Sequence, residues 1–244
     1  MKIYLYDGTW IGFLTLLETI YLGKIDLEGS SILNLRLLNK NLPLYYEEIT
    51  SSTERALLFY NHLKKTLPTE FFKKLYIYYL CDQAQLEKPL IRVIKGTEKD
   101  PLFWKNITLE DPLVLHQTEK SLWRECHRFK GILRFKSGPN GILLAIIEPK
   151  FNILPLLYKH FVRRFPQESF YIYDRLRRLL FSYRNCQSKI MWVEELKLDE
   201  SLEDAFEDLW KEYFKEIAVP ERKCSKRQRN KLPLRLRKNM PEFY

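Results

Sequence analysis

The chain has 244 residues, 45% of them apolar and 30% charged, with eight Gly and twelve Pro. This is the composition of a folded protein with a hydrophobic core and excludes a low-complexity or fibrous chain. The formal net charge is +10, and all of it lies after residue 118; residues 1–118 carry equal numbers of basic and acidic side chains. Residues 220–244 alone hold nine basic and two acidic residues, which points to a polyanionic partner on the C-terminal side.

Lys2–Tyr6 alternates apolar and polar residues and predicts a strand. Asp7-Gly8-Thr9 is a turn with a helix-capping residue, and residues 10–21 predict an apolar helix, too short and too polar at Glu18 to span a bilayer. A strand, turn and helix can open a nucleotide-binding unit, but no glycine-rich phosphate loop follows. Residues 24–50 fit neither period. Ser51 and Glu54 make a capping box for a helix to about Lys65, and Leu67-Pro68 breaks it. Further helices are expected over about 69–80, 84–94 and 113–127, with Pro101 and Asp111-Pro112 marking the connection before the last.

The second half reads differently. Phe129–Phe135 and Ile142–Ile147, joined by Ser137-Gly138-Pro139-Asn140-Gly141, predict a hairpin. On its first strand Lys130, Ile132 and Arg134 share one face, with Arg128 just before it; cations beside aromatics suit phosphate contact and base stacking. A helix is expected over 153–165, capped by Asn152 with Pro155 in its first turn, followed by strands at 170–174, 178–183 and 189–193. A last helix, 201–217, places Leu202, Phe206, Leu209 and Trp210 on one face. The expectation is an α+β fold: a mostly helical first part (1–112), an α+β core with an antiparallel sheet (113–219) and a basic arm (220–244).

Cys81, Cys126, Cys186 and Cys224 show no metal-ligand spacing, so no metal or other cofactor is expected, and reduced thiols without an export signal point to the cytoplasm. Walker, HExxH and GxSxG motifs are absent. The polar residues that would serve acid/base chemistry are His127, Glu148, Asn152, His160 and Asp174. Those suited to phosphates are Arg128, Lys130, Arg134, Arg163, Arg164, Arg175, Arg177, Arg222, Lys223, Arg227, Arg229 and Arg235.

The segments HRFKGILRF (127–135), IEPKFNILPLL (147–157), His160-Phe161 with Arg163 or Arg164, IYDRLR (172–177) and the ERK and MPEF pieces of the arm share an order and spacing. In these the chain resembles a bacterial family described as probable DNA-metabolism proteins, built on a domain of unknown function. The N-terminal YLYDG and apolar helix fit as well, so the resemblance runs along essentially the whole chain. Members are encoded beside a radical-SAM protein thought to modify or repair DNA, and related domains are fused to uracil-DNA-glycosylase-like domains. The resemblance implies a DNA-binding accessory protein working with a radical-SAM partner. The alternatives are an enzyme acting on a nucleobase or the DNA backbone, or a protein-interaction module. The chain departs from the family pattern at Lys150-Phe151, where the family has Asp-His, at Cys224-Ser225 for Asn-Pro, and at Leu236-Arg237 for Tyr-Trp. The arm thereby keeps its charge and loses aromatic anchors.

Overall fold

Asp7 shows how the chain begins to fold. It follows strand β1 (Lys2–Tyr6), and its carboxylate accepts from the Thr9 amide at 2.8 Å and the Ser51 hydroxyl at 2.7 Å. Thr9 caps helix α1 (Trp10–Tyr21) by accepting from the Gly12 amide at 2.9 Å. Gly8 adopts φ +72°, and a Cβ on Gly12 would stand 2.0 Å from Asp7 Oδ1. Glycine at these two positions is what lets the turn close on the carboxylate.

The structure is a computed structural model that describes residues 2–26, 29–38, 43–82, 85–137, 142–193 and 237. It divides into two units, residues 1–124 and 125–244.

In the first unit, α1 crosses over to strand β2 (Ser30–Asn34), which pairs parallel with β1. The short strand β3 (Glu47–Ile49) pairs parallel with the other side of β1, giving the order β2-β1-β3. The sequence predicts only β1. Strands of five and three residues carry too little periodicity to stand out, and their parallel pairing is a tertiary event. Helices α2 (Thr53–Thr66), α3 (Thr69–Leu80) and α4 (Glu87–Lys99) follow. The cap of α2 is Ser52, which accepts from Arg55 N at 3.3 Å, and not Ser51, whose hydroxyl is spent on Asp7. Buried Leu14, Leu16, Leu17, Phe59, Leu63, Phe71, Leu90 and Ile94 form the core.

Helix α5 (Glu110–Ile132) overturns the expected strand at 129–135. Leu122, Cys126, Phe129 and Leu133 are all buried, at spacings of four, three and four, which is a helical stripe. Phe129 and Leu133 by themselves fit either period, and Cys126 is the residue that decides between them. What remains of the hairpin is β4 (Lys136–Ser137), antiparallel to β5 (Leu143–Ile147).

The second unit is α+β, as expected. Helix α6 (Leu154–Arg164) carries the chain from β5 to β6 (Phe170–Asp174), so that pair is parallel, and the sheet is mixed where an antiparallel one was expected. Strands β7 (Leu179–Arg184) and β8 (Gln187–Trp192) complete an antiparallel meander in the order β4-β5-β6-β7-β8. Ala145, Ile147, Leu157, Phe161, Phe170, Ile172 and Phe181 are buried together in this unit. The expected helix 201–217 lies outside the described residues. Among the described residues no helix is long and apolar enough to cross a membrane.

The β7–β8 turn offers a first test. Arg184 pairs with Gln187, and Asn185 and Cys186 between them both have positive φ, 52° and 59°. This geometry favours Asn-Gly, and a side chain at the second position is strained. Cys186→Gly is expected to raise stability by about 1 kcal/mol, measured by urea denaturation; an unchanged midpoint would show that the turn carries no strain.

Candidate nucleic-acid interface

Strands β5 and β6 end side by side, and the loop after β5, Glu148 to Asn152, is held from two directions. The Glu125 carboxylate on α5 accepts from the amides of Lys150 at 3.0 Å and Phe151 at 2.9 Å. Arg177 donates to the carbonyls of Pro149 at 3.2 Å and Lys150 at 2.7 Å. The Arg177 guanidinium also pairs with Asp174 at 3.1 Å, and Asp174 accepts in turn from the amides of Leu176 and Arg177. Asp174 is 0% exposed, Arg177 2% and Glu125 4%.

This clamp corrects one expectation. Arg177 was expected to face phosphates, but it is buried and occupied by the loop, so it is unable to reach a polyanion. Its neighbour Arg175 is exposed and pairs with Glu148 at 3.1 Å. Asn152, expected to cap the next helix, is also reassigned. The N-cap of α6 is Ile153, with no side-chain cap bond, while Pro155 does lie in the first turn. The Asn152 side chain is buried, and its Oδ1 has no hydrogen-bond partner among the described residues.

A second feature lies around the end of α5 and the end of α6. A hollow of about 430 Å³ is lined by three cations, Lys130, Arg134 and Arg164, and three aromatics, Phe135, Phe161 and Phe165. The rings brace one another: Phe135 meets Phe161 edge-on at 5.3 Å and Phe165 at 5.5 Å. Phe161 is buried, while Phe135 and Phe165 are half-buried, so part of each remains open to the hollow. The Arg164 guanidinium lies 5.5 Å from the centre of the Phe165 ring, and Arg134 donates to the Gly131 carbonyl at 3.0 Å. Both cations are thereby oriented by the wall on which they sit.

His160 is half-buried one helical turn before Arg164. Burial, together with the positive charges of Lys130 and Arg164, holds its imidazole below the ordinary value. It is therefore mostly neutral at pH 7.

Of the five residues expected for acid/base chemistry, none lines this hollow. Glu148 follows β5 and Asp174 ends the adjacent β6, where the first pairs with Arg175 and the second is locked under Arg177. His127 is exposed on α5. Among the expected phosphate contacts, Lys130, Arg134 and Arg164 come together, Arg128 is half-buried on α5, and Arg163 is exposed on α6. Arg222, Lys223, Arg227, Arg229 and Arg235 lie outside the described residues. Sequence reasoning missed Glu125 and the aromatic trio. Glu125 lies inside the expected helix 113–127 beside Cys126, but its bond to a loop 25 residues on was not legible.

The sequence profile of one family, described as Domain of unknown function (DUF4130), matches residues 84–242. The protein belongs to that family. Its matched region includes α4, α5, the whole five-stranded sheet and all but the last two residues of the arm, and so both the clamp and the hollow. No curated protein and no solved structure matches the chain. Membership identifies a shared domain and leaves the activity to be argued from the residues.

Proposed function

We propose that this member of the family is a cytoplasmic, nucleic-acid-binding accessory protein of DNA metabolism, acting in modification or repair beside a radical-SAM partner. The observation that carries the binding part is the hollow with Lys130, Arg134 and Arg164 around Phe135 and Phe165. Cations next to partly open rings are the combination that contacts phosphates and stacks on bases. The charge distribution supports the same reading, because the whole +10 follows residue 118. The partner and the DNA-metabolism setting rest on the family resemblance and follow it.

Binding of fluorescein-labelled single- and double-stranded DNA is expected to weaken steeply with salt, because each phosphate contact releases a condensed counterion. Substituting Lys130 and Arg164 with Gln is expected to lower the salt slope by about two units, and deleting residues 222–244 to lower it further. Anisotropy titrations at several salt concentrations measure this. A folded protein that binds neither form at low salt defeats the proposal for the isolated chain. The same titration with the radical-SAM protein present then tests the partnership.

A further inference from the structure

We infer that the hollow takes a single unpaired nucleotide of a DNA strand, its phosphate between Lys130 and Arg164 and its base against Phe135 and Phe165. The inference rests on the nucleic-acid reading above and goes beyond it, because it names which part of a strand the protein selects.

A volume of about 430 Å³ lies in the range of sites that enclose one small ligand. A surface that only followed a duplex backbone would need cations in a row and no ring floor. The lining of the hollow is of two kinds: cations from the ends of α5 and α6, and rings from Phe135 and Phe165, with Arg164 lying 5.5 Å from the centre of the Phe165 ring. A nucleotide is divided in the same way, into a charged phosphate and a flat base. In a duplex both faces of each base are covered by its neighbours, so a stacking wall is open only to a base outside the helix.

Lys130 on α5 and Arg164 on α6 are the charges that, after burial, depress His160. A phosphate seated between them would cancel much of their field at the imidazole. His160 would then take up a proton more readily in the complex than in the free protein. By linkage the affinity must rise as pH falls through the titration range of His160. A ligand bound elsewhere on the unit would leave His160 where it is.

The test uses the full chain with four probes: a blunt duplex, the same duplex with one central unpaired fluorescent purine analogue, the matching single strand, and a free deoxynucleoside monophosphate. The duplex with the unpaired nucleotide is expected to bind about tenfold tighter than the blunt one, the size of one stacked base, with quenching of the analogue. Arg164→Gln and Phe165→Leu are expected to remove most of that preference. Arg164 is exposed, so its variant keeps the fold even if Phe165→Leu does not. In NMR titrations assigned with His160→Gln, the His160 midpoint is expected to move up with the unpaired-nucleotide duplex and to stay still with the blunt one.

Equal affinity for the two duplexes, with binding otherwise intact, overturns the inference and leaves the nucleic-acid reading standing. Tight binding of the free monophosphate, matching that of the unpaired nucleotide, reassigns the hollow to a free nucleotide and overturns the strand. Failure of all four probes overturns the inference and defeats the nucleic-acid reading for the isolated chain.

Discussion

Arg177→Ala is expected to destabilise the protein by about 3–5 kcal/mol, the cost of leaving one member of a buried pair without its partner. Asp174 is fully buried at 3.1 Å from the guanidinium and would lose that ion pair while keeping the amides of Leu176 and Arg177 as donors. The carbonyls of Pro149 and Lys150 would each lose the donor described above. Urea denaturation followed by circular dichroism gives the size of the loss, and hydrogen exchange places it, with the amides of β5 and β6 expected to lose protection first. Replacing both members, as Asp174→Asn with Arg177→Met, is expected to recover part of the loss, because no uncompensated charge then remains. A loss below about 1 kcal/mol would mean an arginine solvated in the native state, and Arg177 would return to the set of possible phosphate contacts.

Glu87→Gln is expected to stabilise the protein by about 3 kcal/mol above neutral pH and to do almost nothing in acid. Glu87 opens α4 and is 7% exposed. Burial pushes its carboxyl from an ordinary 4.5 up to about 7, and the charge of Asp82 adds to the rise. Below pH 4.5 the group is protonated in both the folded and the unfolded chain, so it costs nothing. Between 4.5 and about 7 the unfolded chain releases the proton and the folded one retains it, and stability falls as pH rises. Above about 7 the full penalty is present. Gln keeps the shape of the neutral acid and has no proton to lose. Urea midpoints at about pH 4 and about pH 8 should therefore diverge between the two proteins only at the higher pH. Equal differences at both would trace the effect to packing and not to ionisation.

These two residues also show where reading along the chain stops. Both are charged, and nothing in their neighbours distinguishes them from solvated side chains. Arg177 follows Arg175 in a run that looks like a basic surface, yet Arg175 is exposed and Arg177 is enclosed. The turn after β6 decides this: Asp174 accepts from the Arg177 amide at 3.2 Å, and the guanidinium of the same residue reaches the loop that follows β5.

Helices were the most legible elements, because their signals are local. The cap and apolar run of α1, the Leu67-Pro68 break between α2 and α3, and the Pro155 start of α6 each depend on residues within one or two turns. Strands β6 and β7 were legible as aromatic and aliphatic runs bounded by turn residues. The charge asymmetry required no structure at all, and the proposal of a polyanionic partner starts from it.

Tertiary structure decided the rest, because each remaining question was about distant residues. Whether β5 and β6 run parallel depends on the crossover through α6, and β2 and β3 exist as strands only against β1. Whether 129–135 is helix or strand was undecidable from Phe129 and Leu133, whose separation of four satisfies both periods; packing of α5 along Leu122 and Cys126 settled it. The change of element did not scatter the basic side chains. Lys130 and Arg134, placed on one strand face by the alternating reading, are four apart and meet at the end of α5, where α6 brings Arg164 and Phe165 to them. The sequence by itself determined which residues carry charge and which carry rings. Only the fold brought residues 130–135 and 161–165 around one hollow, because that contact is made by two helix ends some thirty residues apart in the chain.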